Sequence, residues 1–214
     1  MGVAYDGDGD RCLAVDENGN EIDGDKIMAI ISSSLRKKGK LAKDTIVATV
    51  MSNLGLNKYA RDNGLELLQT KVGDRYVLEE MLKDGFNLGG EQSGHVILLD
   101  YNPTGDGILT SLMLIKSILE ENKNASQMAQ MVKLYPQVLV NAKVNSEKKY
   151  EFKDDKEIKN AIDKLEKEFA GKGRVLIRPS GTEPLVRVMI EGEDQKYIQK
   201  KAEEIAKLIE AKLK

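Results

Sequence analysis

Short apolar runs alternate with amphipathic stretches from Val3 to about Lys123, and this alternation limits the fold more than any other feature of the sequence. Thr45 to Thr49, Glu66 to Thr70 and His95 to Leu99 are strand candidates, bounded by turn-forming residues. Between them lie helices. Asp23 can cap one that carries Ile27, Ile30, Ile31 and Leu35 on a single stripe and stops at Lys37, Lys38 and Gly39. Further helices are expected from Asn53 or Leu54 to Asp62, from Arg75 to Asp84, and from Asp106 to Glu121. Strand–helix alternation of this kind predicts a mixed or parallel sheet covered by helices.

The pattern changes after a polar break at Asn122 to Ala125 and a short helix, Ser126 to Leu134, stopped by Pro136. Strands are expected at Val138 to Val144, Val175 to Ile177 and Leu185 to Ile190, with Phe86 to Leu88 a further strand-like run in the first part. Two Lys/Glu-rich helices, Asp154 to Ala170 and Asp194 to Lys212, complete the second part. Charge divides at the same place, −5 through Pro136 and +3 beyond it. The expected organisation is therefore α/β: a mixed-sheet α/β domain at 1–123, a linker at 124–136, and a small α+β domain at 137–214 with its helices packed on one sheet face.

The overall charge of −2 argues against a nucleic-acid binder, which needs a basic face. Runs such as Ile27 to Ile31 and Val96 to Leu99 fall far short of the roughly 18 apolar residues of a membrane span. No basic-then-apolar leader follows Met1, and the single cysteine, Cys12, fits a reducing compartment, so a cytoplasmic location is expected. Cys12 itself reads as a small buried apolar residue.

Three segments carry chemistry. In Asp6-Gly7-Asp8-Gly9-Asp10-Arg11, carboxylates at alternate positions can converge on one hard cation if the backbone curls, which Gly7 and Gly9 permit. All-oxygen ligation favours Mg²⁺, Ca²⁺ or Mn²⁺ over zinc; an acidic surface turn is the plainer alternative. Asp6, Asp8, Asp10 and Glu17 also fall at positions 1, 3, 5 and 12 of a calcium loop, but Arg11 stands where that loop needs glycine, and the flanks read as strands.

The second segment, Gly89-Gly90-Glu91-Gln92-Ser93-Gly94-His95, offers a carboxylate and a hydroxyl on a tight loop, a pair suited to sugar hydroxyls, or else a plain hairpin turn. His95, the only histidine, suits either a structural place at a strand start or proton transfer. The third, Arg178-Pro179-Ser180-Gly181-Thr182-Glu183-Pro184, combines a guanidinium fork, two hydroxyls and loop N–H groups into an anion site, with Arg187 as a second fork; a turn-rich hairpin is the alternative. Lys71-Val72-Gly73-Asp74-Arg75 is a second anion candidate or a helix start capped by Asp74. Asn102-Pro103-Thr104-Gly105-Asp106-Gly107 is expected to be no more than the lead-in turn of the long helix.

Taken in order, the three segments resemble the C-terminal half of the α-D-phosphohexomutases, across nearly the whole chain. Within that family, Gln92 in the sugar loop, Lys71-Val72-Gly73-Asp74-Arg75-Tyr76-Val77 and Thr104-Gly105-Asp106-Gly107 are most similar to the bacterial phosphoglucosamine mutases, with phosphomannomutase/phosphoglucomutase the nearest competitor. The resemblance implies interconversion of glucosamine 6-phosphate and glucosamine 1-phosphate through a bisphosphate, in a four-domain enzyme whose first domain carries a phosphoserine. It implies that Asp6, Asp8 and Asp10 hold Mg²⁺, that Arg11 steadies a phosphoryl oxygen, and that Glu91 and Ser93 read the sugar. Arg178, Ser180, Gly181 and Thr182 would grip the non-reacting phosphate, and His95 would assist proton transfer.

The family's nucleophile lies in a Ser-His-Asn-Pro segment, and the one histidine here follows Gly94. The expectation is a fragment holding the third and fourth domains, inactive alone, whose partners are a phosphosugar and the missing N-terminal domains of the same protein. Non-catalytic alternatives are a calcium-binding or a phosphosugar-binding module.

Overall fold

The computed structural model describes residues 1–214, which form two compact units, Met1–Leu134 and Tyr135–Lys214. The first opens with three short antiparallel strands, β1 (Gly2–Tyr5), β2 (Cys12–Val15) and β3 (Glu21–Ile22), in the order β1-β2-β3. Helix α1 (Gly24–Lys37) follows, capped by Asp23, whose carboxylate accepts the Lys26 N–H at 3.0 Å. Its Ile27, Ile30, Ile31 and Leu35 are buried on one stripe, because a 3.6-residue period brings those positions to one face.

A four-stranded sheet comes next, built from β4 (Thr45–Thr49), β5 (Glu66–Thr70), β6 (Leu88–Gly90) and β7 (Val96–Leu98) in the order β5-β4-β6-β7. The first three strands are parallel and β7 is antiparallel, so the sheet is mixed. Helices α2 (Leu54–Asp62), α3 (Asp74–Asp84), α4 (Gly107–Glu120) and α5 (Ala125–Ala129) complete the unit. The strand expected at Phe86 to Leu88 instead runs two residues further along, through Gly89 and Gly90. A β-carbon on Gly89 would meet Met81 and the Val47 carbonyl inside 3 Å, so the sheet requires glycine where local propensity reads a loop. Helix α3 starts one residue before the expected Arg75, with Gly73 and not Asp74 at the cap position. The stretch 124–136, expected as a linker, contributes Ala125, Met128, Ala129 and Val132 to the first core. Its small and apolar residues recur at helical spacing inside a polar composition.

The second unit is an antiparallel sheet of β8 (Gln137–Lys143), β9 (Gly173–Pro179) and β10 (Leu185–Gly192), ordered β8-β10-β9, with helices α6 (Lys156–Phe169) and α7 (Gln195–Leu213). The register sets Val186, Val188 and Ile190 opposite Ala142, Val140 and Val138 on one side and opposite Pro179, Ile177 and Val175 on the other. Paired residues share a face, so this face collects the apolar side chains. Ile158, Leu165 and Phe169 of α6 and Ile198, Ala202, Ile205 and Ile209 of α7 bury it. The other face carries the intervening residues, among them Arg178 and Arg187. This is an α/β chain: a mixed sheet with helices, then an antiparallel sheet with helices.

Candidate functional site

In the first unit, the loop between β1 and β2 gathers the carboxylates of Asp6, Asp8 and Asp10 within 4.8 Å of one another. The Arg11 backbone N–H donates to Asp6 Oδ1 at 3.2 Å, and the Arg11 guanidinium lies 3.8 Å from Asp6 Oδ2. Three anions this close repel each other. Burial, then hydrogen bonding to Asp6, then the charges of Asp6 and Asp8 push the Asp10 carboxyl above its usual range. For Asp6, the opposing effect of burial is outweighed, first by the hydrogen bond donated by the Arg11 backbone N–H, and the carboxyl is held below that range. Asp10 Oδ1 is buried and has no hydrogen-bond partner. An all-oxygen donor set with an orphaned carboxylate oxygen fits a hard divalent cation such as Mg²⁺, Ca²⁺ or Mn²⁺ and does not fit zinc.

The calcium-loop alternative fails on geometry. Glu17, which would have to close such a loop, is bonded through its carboxylate to the backbone N–H and hydroxyl of Ser126. Strands flank the acidic loop on both sides.

The glycine-rich loop between β6 and β7 is held from three sides. The Glu91 N–H donates to His95 O at 2.8 Å and the Gly94 N–H to Glu91 O at 3.0 Å, closing a tight turn. The Gly24 N–H of α1 donates to Gln92 O at 3.0 Å. On the third side the Cys12 N–H donates to Gly94 O at 3.1 Å, and Arg11 and His95 form an antiparallel bridge, tying this loop to the acidic one. Gly94 has φ +94°, and a β-carbon there would stand 2.3 Å from the Cys12 carbonyl, so no other residue fits. The outcome is an open cleft of about 490 Å³ whose walls include Arg11, Glu91 and Ser93, with Thr49, Met51 and Val72. Glu91 also accepts the Gly73 N–H at 3.2 Å, which joins the Lys71–Arg75 turn to the same wall.

His95 is placed differently. It is buried, its Nε2 lies 3.6 Å from Asp10 Oδ2 and 4.0 Å from Asp74 Oδ2, and its Nδ1 has no partner. It supports the acidic loop and does not line the cleft. The turn before α4 does more than lead into a helix. The Gly107 N–H donates to Gly9 O at 2.9 Å, and a β-carbon on Gly105 would stand 2.4 Å from the His95 ring. Gly105 and Gly107 let this turn close against the acidic loop. The sequence signal was available, two glycines around an aspartate, but it is shared with any helix start.

In the second unit, Arg178 and Arg187 are direct cross-strand partners on the face away from the helices. Burial, and next the Arg187 charge, pull Arg178 below the ordinary guanidinium value. Arg187 Nη2 donates to Glu183 at 3.1 Å, while its buried Nε has no partner. Two half-buried cations side by side are a candidate for anion binding. Gly181 and Thr182 are exposed at the tip of the loop. Ser180 is buried instead: its hydroxyl accepts the Glu183 N–H at 3.3 Å and shapes the turn. Lys149, which carries no motif, places its buried ammonium 2.9 Å from Ser180 O and 3.3 Å from Gly181 O, bracing the loop from beneath. Cys12 is buried, and that burial pushes its thiol up, which leaves it unreactive.

Residues 23–135 match the phosphoglucomutase/phosphomannomutase alpha/beta/alpha domain III, and residues 139–208 match the C-terminal domain of the same family. The chain belongs to the phosphoglucomutase/phosphomannomutase family. The domain III match begins at residue 23, so β1 to β3 and the acidic loop lie ahead of it. The chain is 59% identical over 213 residues to the phosphoglucosamine mutases of Ruminiclostridium cellulolyticum and Caldicellulosiruptor bescii, covering 100% of itself and 47% of each relative. It thus spans about half the length of the curated relatives it matches, their C-terminal half. Among solved structures, an N-acetylphosphoglucosamine mutase of Aspergillus fumigatus superposes with a TM-score of 0.80 at 22% identity, over 98% of this chain and 48% of the other. At that identity the likeness speaks to fold alone. A further Aspergillus fumigatus structure of that enzyme holds GlcNAc-6P and magnesium. No helix of this family member is long and apolar enough to cross a membrane.

Proposed function

We propose that the chain is the C-terminal half of a phosphoglucosamine mutase, which interconverts glucosamine 6-phosphate and glucosamine 1-phosphate through a bisphosphate. The observation that carries this reading is the meeting of Arg11 with Glu91 and Ser93 on one cleft wall, directly beside the three-aspartate cluster. Phosphoryl transfer asks a protein mainly for charge neutralisation and positioning, and this wall supplies both kinds of group. Asp6, Asp8 and Asp10 would hold Mg²⁺, which when bound offsets charge on the transferring phosphoryl group. Arg11, which lines the cleft, would offer its guanidinium to a phosphoryl oxygen. Glu91 and Ser93 accept and donate hydrogen bonds to vicinal sugar hydroxyls. Arg178 and Arg187, with the loop-tip residues Gly181 and Thr182, would grip the phosphate that does not react, and Ser180 keeps that loop in shape.

His95 is assigned to positioning Asp10, since its burial beneath Gly105 lends no support to the proton-transfer role expected from the sequence. The nucleophilic serine belongs to the half of the relatives that this chain does not match, so the chain alone is expected to turn over no substrate. Phosphomannomutase/phosphoglucomutase activity is the competing specificity.

An amide NMR titration tests the reading. Glucosamine 6-phosphate is expected to shift Arg178 to Glu183, and adding Mg²⁺ to shift Asp6 to Arg11. Shifts scattered over the chain, or equal responses to inorganic sulfate and the phosphosugar at Glu91 to His95, overturn it. Turnover of glucosamine 6-phosphate by the pure chain would sink the missing-nucleophile argument.

A further inference from the structure

The cleft beside the acidic loop carries more negative charge than a phosphate ester can use. Among its lining residues Arg11 is the cation, and Glu21, Asp23 and Glu91 are the anions. Two lysines of adjoining segments turn elsewhere. Lys26 Nζ donates to the Glu21 backbone carbonyl at 2.7 Å, and Lys26 lines a separate hollow with Asn18 and Asn20. Lys71 Nζ lies over the Tyr76 ring, 5.8 Å from its centre. A phosphosugar without positive charge of its own is repelled by such a wall, and one that carries an ammonium group is drawn to it.

Asp23 is the buried member of the three anions, 7% exposed, and it joins two elements. Its Oδ1 accepts the Lys26 N–H at 3.0 Å as the cap of α1, and its Oδ2 accepts from the Gln92 side-chain amide at 3.3 Å. The backbone holds the same two segments together. The Gly24 N–H donates to Gln92 O at 3.0 Å, and a β-carbon on Gly24 would stand 2.1 Å from the Glu91 carbonyl. A carboxylate only accepts hydrogen bonds, so Gln92 must turn its NH₂ group to Asp23. The other end of that amide is then a carbonyl oxygen, a second acceptor carried by a residue of the cleft wall. An ammonium group, with three donors and no acceptor, suits a carboxylate and an amide oxygen side by side.

Glu91 and Ser93 are already assigned to sugar hydroxyls, which leaves Asp23 and Gln92 for the substituent at C2. We infer that Asp23, with the Gln92 amide it orients, receives the 2-ammonium group of the sugar and sets the preference for a glucosamine phosphate over glucose and N-acetylglucosamine phosphates. The inference rests on the reading of this cleft as the sugar site of a mutase.

Amide NMR titrations of the 214-residue chain with glucosamine 6-phosphate, glucose 6-phosphate and N-acetylglucosamine 6-phosphate test it. Dissociation constants read at Glu91 to His95 are expected to favour glucosamine 6-phosphate by about tenfold or more, as for one charge-assisted hydrogen bond. Asp23→Asn is expected to bring that ratio below about twofold while moving the melting temperature by no more than about 3 °C. Asparagine caps a helix as well as aspartate does, so a purely structural role for Asp23 leaves the ratio untouched. Gln92→Leu is expected to lower the ratio about threefold, the loss of one neutral acceptor. Equal affinities in the unmodified chain, or a preference that survives in Asp23→Asn, overturn the inference; shifts at Arg178 to Glu183 with all three sugars then leave the proposed function standing. If no sugar shifts either loop, the ratio is read as kcat/KM in the same chain joined to the preceding half of the Ruminiclostridium cellulolyticum enzyme. Turnover there without the preference overturns the inference alone, and a folded joined protein that turns over none of the three sugars overturns the proposed function with it.

Discussion

Lys149 shows how a residue without a motif can govern one that has one. Its ammonium meets two backbone carbonyls of the Ser180–Gly181 loop, so those carbonyls are satisfied from below. Lys149→Met leaves the buried Ser180 carbonyl, and the partly buried Gly181 carbonyl, without their donor, a loss of about 1–3 kcal/mol. The expected result is phosphate binding weakened about tenfold at Gly181 and Thr182, read by NMR titration, with partial recovery in Lys149→Arg. Gly105 acts by what it lacks. In Gly105→Ala the added methyl group meets the His95 ring, and overpacking of about 1–3 kcal/mol is expected to displace Asp10 and weaken Mg²⁺ binding, measurable by calorimetry. Asp10→Asn tests the acidic cluster itself. Removing one of three crowded anions is expected to raise the melting temperature of the metal-free chain while abolishing its response to Mg²⁺.

Among the elements, turns decide most. Asp16 organises the connection between β2 and β3 by accepting the N–H groups of Asn18 at 2.8 Å and Asn20 at 2.9 Å and the Asn20 side chain at 3.0 Å. The Asn20 side chain foremost, aided by the Asn20 and Asn18 backbone donors, outweighs the opposing effect of burial and holds the Asp16 carboxyl below 3.8. The native state therefore releases this proton more readily than the unfolded chain. Its contribution is fully present above pH 3.8 and is lost as pH falls through the lowered native value. Asp16→Ala is expected to flatten the acid limb of the stability profile, followed by circular dichroism between about pH 2 and 5. The turn also places Glu17 on Ser126, which takes that carboxylate away from the acidic loop.

On the scale of the whole molecule, each unit closes its own core. The first buries α1, β4, β6 and α4 side chains together, and the second buries one face of its antiparallel sheet under α6 and α7. Residues 135–214 expressed alone are therefore expected to fold, with a dispersed amide spectrum and the β8-β10-β9 register intact. A collapsed spectrum would show that the second core is not self-sufficient. The two units also divide the chemistry. The cleft and acidic cluster lie in the first, the paired arginines in the second.

Alternating apolar runs, a cap at Asp23 and the change of pattern near Pro136 were enough to read an α/β chain with an α+β second part, because hydrophobic period and capping are local properties. The three loops were legible for a similar reason, since aspartates, glycines and arginines at short spacing announce their chemistry within a few residues. Contacts between distant segments were not. The burial of His95 under Gly105, the seat of the Gly24 N–H on Gln92, the Lys149 brace and the pairing of Arg178 with Arg187 each join residues far apart in sequence or set by strand register. The facing of α4 belongs with them: its aliphatic residues are visible in the sequence, but only packing decides that the side bearing Thr110, Ser111 and Ser117 is the buried one.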